Sequence, residues 1–177
     1  MTVQEIESSG NILMVAGKRS LTLVRQSRLI ESNVGSETTA TLLCGALYNL
    51  LTHTPTLERL LAELRSTFSS RSSVTMAGLH DLPYLNAVLE ESLRVYPPAA
   101  FSQARIVPRQ GAIICGEAIP GGTSVGVPSL AAGLSDANWT EPHAFKPERW
   151  LGDEWVGDDR KAVQPFLVGP RNCLGKK

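Results

Sequence analysis

A chain of 177 residues that is 42% hydrophobic and 19% charged has the makeup of a globular protein, which excludes a disordered one. Seventeen basic residues balance seventeen acidic ones, so no general attraction to nucleic acid is built in, and only Arg171, Lys176 and Lys177 form a locally basic group. Three cysteines, an odd and sparse number, exclude a disulfide framework and suit a reducing compartment.

Residues 1–17 begin polar and acidic, as neither a signal peptide nor a membrane span would, and then read as a helical start on Ile6, Ile12, Leu13, Met14 and Val15. A second helical pattern, rich in Leu and Ala, covers 36–51. Residues 18–35 between them are a misfit, because without them Gly17 runs into Ser36-Glu37-Thr38-Thr39 as one uninterrupted helix. Two origins stay open for this insert. It is a retained intron, with a splice donor encodable at Gly17-Lys18 and an acceptor at Val34-Gly35, or it is a genuine surface insertion; if translated, it is expected to interrupt the helix. Pro55 opens a helix over 55–66, with Leu57, Leu60, Leu61 and Leu64 at helical spacing. A polar loop over 66–78 leads to a helix over 81–96 on Leu85, Val88, Leu89 and Leu93, ended by Pro97-Pro98. The period then changes. Short strands near 103–107, 112–115 and 123–127, punctuated by Gly116-Glu117 and Pro120-Gly121-Gly122, predict a small antiparallel sheet over 103–127. A short helix near 129–134 and a meandering loop from 136 complete a mainly α chain with a small antiparallel β-sheet (α+β). Cys44 and Cys115 are expected in the core, and His53, His80 and His143 at the surface or as caps, since they lack metal-ligand spacing.

The most specific chemistry lies at the end, in Phe166-Leu167-Val168-Gly169-Pro170-Arg171-Asn172-Cys173-Leu174-Gly175. Gly169 permits a tight turn and Gly175 a close backbone approach, so the loop is shaped to present one sulfur. A Cys thiolate is an axial ligand of haem iron that favours O–O cleavage. Arg171 suits pairing with a haem propionate, and Phe166 suits packing against the porphyrin. Upstream, Glu91 and Arg94 stand three apart on one helical face, and Phe145-Lys146-Pro147-Glu148-Arg149-Trp150 supplies a further arginine.

These segments, in this order, resemble the cytochrome P450 family: the cysteine loop, the K helix with its Glu-x-x-Arg pair, the segment carrying the third member of that triad, and Gly35-Ser36-Glu37-Thr38-Thr39 in the I helix. The resemblance implies a partial P450-type fold over 1–177, without the N-terminal portion and the helix after the cysteine. It implies a haem-thiolate monooxygenase with Cys173 on iron, and Phe166, Gly169, Arg171, Gly175 and Arg105 around the cofactor. Thr38 and Glu37 would deliver protons, and Glu91, Arg94 and Arg149 would form a structural ion-pair triad. Ala99, Ala100, Phe101 and Ser102 would line the pocket of a mostly apolar organic substrate. The reaction would consume O2 and electrons from a flavoprotein NADPH reductase, docked with help from Arg171, Lys176 and Lys177. The family suggests the cytoplasmic face of the endoplasmic reticulum, although no membrane segment is present in this chain. Two other readings stay open: an inactive truncated product that binds haem poorly, and a haem enzyme that isomerises or dehydrates without a reductase.

Overall fold

The structure, a computed structural model, describes residues 21–177 apart from 153, 174 and 177, with side chains described from Ser36 onward. The helical start expected over 1–17 and the first residues of the misfit segment lie outside the described residues. Contacts divide the described residues into two compact units: 21–38 with 101–128, and 39–100 with 129–177.

Helix α1, Leu21–Thr52, begins in the first unit and ends in the second. The expected interruption is absent within the described part of the segment, since the helix passes through 21–35 without a break. Leu, Arg, Gln and Glu, good helix formers, supply seven of the fifteen residues in that stretch, and Gly35 costs only about 1 kcal/mol against Ala. Residues 101–128 of the first unit form two separate antiparallel ladders, where the sequence suggested one sheet. Strand β1, Arg105–Ile106, pairs with β4, Ser124–Val125; strand β2, Ala112–Ile114, pairs with β3, Glu117–Ile119. The β2–β3 turn puts Cys115 at φ +53° and Gly116 at φ +86°, the two left-handed residues that such a tight hairpin needs. Cys115 is therefore exposed, not a core residue.

In the second unit, α2 (Thr54–Thr67) and α3 (Met76–His80) precede α4 (Pro83–Val95), and α5 (Ser129–Gly133) follows. The stretch read as a loop over 66–78 thus contains a 3-10 turn at Arg71–Ser73 and the start of α3, capped by the Thr75 hydroxyl accepting from the Gly78 amide. The central helix is α4. Pro83 occupies its first turn, where a missing N–H costs nothing, and the Glu63 carboxylate of α2 accepts from the Tyr84 and Leu85 amides at 2.8 and 2.9 Å. Its apolar face packs Tyr84 and Val88 with Leu60 and Phe145, surrounded by Leu50, Leu64, Leu85, Val95 and Leu151. Cys44 is exposed on α1, contrary to the core position expected, because it lies off the face where Gly45 meets Tyr96. His53 fits the capping role: its Nδ1 lies 2.8 Å from the Asn49 carbonyl at the end of α1, while its ring contacts Phe145. His80 and His143 are exposed. Among the described residues no helix is long and apolar enough to cross a membrane.

Candidate functional site

The cysteine loop is held by its own backbone. The Cys173 amide donates to the Phe166 carbonyl at 2.7 Å, and the Asn172 amide to the Gly169 carbonyl at 3.1 Å, closing a 3-10 turn over Gly169–Arg171. Leu167 at φ +59° and Gly169 at φ +75° bend the chain around this closure. Glycine is needed at 169 for that left-handed angle. At 175 an added Cβ would sit 3.7 Å from the Cys173 sulfur, an ordinary contact, so the close approach expected there is not what requires glycine within this chain. Cys173 is exposed, Phe166 and Arg171 are half-buried, and Lys176 Nζ lies 6.0 Å from the Phe166 ring centre.

The same unit holds a charge cluster. Glu91, Arg94 and Arg149, assembled from α4 and the 3-10 turn Pro147–Trp150, have no exposed surface at all. Arg94 grips Glu91 through a two-pronged contact, Nε to Oε2 at 2.9 Å and Nη2 to Oε1 at 2.8 Å. Its remaining N–H groups donate to the carbonyls of Gly133, Pro142 and Ala144. Arg149 reaches Glu91 at 3.2 Å, and Glu91 also accepts from Trp150 Nε1 at 2.9 Å and the Lys146 amide at 2.8 Å. The three residues predicted from the sequence are thus brought together, and a fourth joins them. Asp158 binds Arg149 Nη1 through one oxygen and the Thr140 amide, at 2.7 Å, through the other. Burial pushes the Asp158 carboxyl up, but the Thr140 amide and the Arg149 guanidinium outweigh it and hold the group below its ordinary range.

Sequence reasoning missed Asp158 because it stands in an acidic, aperiodic loop beside Glu154 and Asp159, with no spacing to mark it. Glu141 was missed as well. Its backbone takes φ +49°, and its carbonyl accepts from Arg149 at 3.1 Å. All three tryptophans of the chain surround this cluster. Arg94 lies over Trp139 at 5.0 Å, Arg149 over Trp155 at 4.6 Å, and Trp150 bonds Glu91. Trp150 also faces the loop, lining a hollow with Leu151, Val163, Phe166 and Lys176.

Glu37, Thr38 and Arg105 belong to the first unit. Glu37 and Thr38 occupy exposed positions of α1. Arg105 in β1 is half-buried and turns its guanidinium onto the Gln103 and Ala104 carbonyls, at 3.3 and 3.0 Å.

The donor set fits a haem. Among the described residues no group of three or more His, Cys, Asp or Glu side chains converges, so Cys173 offers one ligand. One protein ligand suffices for an iron that the porphyrin already holds. Fold and loop define a partial domain of the haem-thiolate class. The family model described as Cytochrome P450 matches residues 29–177, and the chain belongs to that family. It is 44% identical to the cytochrome P450 monooxygenase aclL of Aspergillus oryzae over 177 residues, covering 99% of this chain and 32% of that protein. It is 46% identical to the cytochrome P450 monooxygenase lcsI of Purpureocillium lilacinum over 177 residues, 99% of this chain and 31% of the relative. The cytochrome P450 monooxygenase hepD of Aspergillus oryzae is 48% identical over 143 residues, 80% of this chain and 29% of its own length. The chain therefore spans about a third of the length of these relatives.

Proposed function

We propose that the chain is the ligand-bearing part of a haem-thiolate monooxygenase that inserts one oxygen atom of O2 into a mostly apolar organic substrate. The observation that carries this reading is the exposed Cys173 on a backbone-closed loop, whose Phe166 lines one hollow with Trp150, a hydrogen-bond partner of the fully buried Glu91. Haem, when bound, supplies the oxygen activation. The chain's own residues hold and tune it. Cys173 would give its thiolate to the iron, Phe166 would pack on the macrocycle, and Arg171 would pair with a propionate, with Arg105 as a second partner. Glu37 and Thr38 hold a proton and pass it on, a task for which a hydroxyl is suited because it both donates and accepts. Glu91, Arg94 and Arg149 assemble the binding core and do not touch the reacting atoms. Electrons come from a flavoprotein that oxidises NADPH, and Arg171, Lys176 and Lys177 contribute to its docking. The expected location is the cytoplasmic face of the endoplasmic reticulum.

A second reading has an observation of its own. Leu43, Leu47, Tyr48 and Leu51 leave 56–68% of their surfaces exposed on α1, a bare apolar face that favours a catalytically inactive chain with weak haem affinity. The absorption spectrum of the haem-reconstituted, reduced, carbon-monoxide-treated protein separates the two. A strongly red-shifted Soret band that Cys173→Ala abolishes supports the monooxygenase reading. Absence of bound haem, or a band of neutral or imidazole ligation, favours the inactive one.

A further inference from the structure

From the charge cluster we infer that Asp158 is a positioning residue for the thiolate loop, anchoring the segment that carries Cys173 and neutralising the arginine that joins this segment to Glu91. The inference rests on the reading of Cys173 as the haem ligand.

Charge balance gives the first ground. Glu91, Arg94 and Arg149 alone would leave one uncompensated positive charge in a site with no exposed surface, a costly state. The Asp158 side chain, also without exposed surface, brings the set to neutrality. Connectivity gives the second. The Asp158 carboxylate takes the Thr140 amide, and the Asp159 amide donates to the Asn138 carbonyl at 2.8 Å, so this point of the chain is pinned on one side to 138–140 and on the other to Arg149. Position gives the third. Between Asp158 and Cys173 only Val163 is buried, at 6% exposure, so the approach to the sulfur is tied to the interior at two points, one polar and one apolar. Releasing the polar anchor frees the loop's origin while leaving its internal hydrogen bonds, Cys173 to Phe166 and Asn172 to Gly169, intact. The sulfur would then be presented less uniformly to the iron.

The test compares wild type with Asp158→Asn, which keeps shape and an acceptor for Thr140 but not the charge. Asp158→Glu restores the charge, and Leu60→Ala destabilises the apolar cluster of Tyr84, Val88 and Phe145 while changing no charge. Each chain is reconstituted with haem, reduced and treated with carbon monoxide, and the share of bound haem with the thiolate band is measured. Asp158→Asn should move most bound haem to the neutral-ligand band, Asp158→Glu should recover the thiolate share, and Leu60→Ala should lower the amount of haem bound without altering the share. Asp158→Ser, small enough to admit water to Arg149, gives the same readout if Asp158→Asn does not fold. Wild type with the thiolate band and Asp158→Asn with an unchanged share would overturn this inference alone. Wild type without the band would overturn it together with the ligand assignment.

Discussion

Replacing Glu91 by Gln isolates the electrostatics of the buried cluster, because shape and volume are kept. The glutamate accepts five hydrogen bonds: two from Arg94, one each from Arg149 and Trp150 Nε1, and one from the Lys146 amide. An amide presents one oxygen where the carboxylate presents two. If its oxygen takes the place of Oε1, its NH2 faces the Arg94 Nε and Trp150 donors and meets them donor to donor. The cluster also passes from neutral to one net positive charge with no exposed surface. Removing one partner of such a buried set costs about 3–5 kcal/mol, mainly through the charge left uncompensated. With a urea slope of about 2 kcal/mol/M, the unfolding midpoint should fall by about 1.5–2.5 M. The tryptophans report directly, since all three lie against the cluster, and far-UV circular dichroism provides an independent probe. The surface pair Arg59–Glu148, with side chains 54% and 36% exposed, is the control, and Arg59→Met should cost less than about 1 kcal/mol. A Glu91→Gln midpoint within about 0.5 M of wild type, hence a cost near 1 kcal/mol, would refute the view that this cluster is held by charge compensation.

Three further outcomes follow from the same geometry. Tyr84 has its phenol pushed up to about 12, first by burial and then by the hydrogen bond to Glu148 and its charge, so a tyrosinate absorbance step absent from Tyr84→Phe should sit near pH 12. Because the folded value lies above the ordinary 10.0, its contribution to stability is complete below pH 10 and disappears as the pH rises through 12; a step at pH 10 would mean that the phenol is neither buried nor bound to Glu148. At Gly133 an added Cβ would fall 2.5 Å from the Arg94 carbonyl oxygen, and Gly133→Ala should lower stability by about 1–3 kcal/mol in thermal unfolding; an unchanged Tm would show that α5 is free to shift. Finally, Cys44, Cys115 and Cys173 are all exposed, so three thiols should titrate in the haem-free protein and one fewer after haem loading, the missing one being that removed by Cys173→Ala. Full reactivity of the loaded protein would reject Cys173 as the ligand.

The contrast between Arg94 and Asp158 shows where sequence information stops. Arg94 stands three residues after Glu91 on one helix, so helical geometry alone predicts that the two meet, and their two-pronged contact follows from the sequence. The helices α2 and α4 are equally local, written by leucine spacing and by prolines at their first turns. So is the bend at Gly169, which only a left-handed angle allows. Other features depend on contacts between residues far apart in the chain. Glu63 caps a helix that begins twenty residues later, and Asp158 neutralises a site whose other carboxylate lies 67 positions away, in loops without any period. The exposure of Cys44 and Cys115 belongs here too, since an apolar run does not say which of its faces finds a partner. Local propensity acts through neighbouring backbone and is legible in order. Buried charge is settled by whichever segments the fold brings within hydrogen-bond distance, because each ion that loses water must find its counter-ion there.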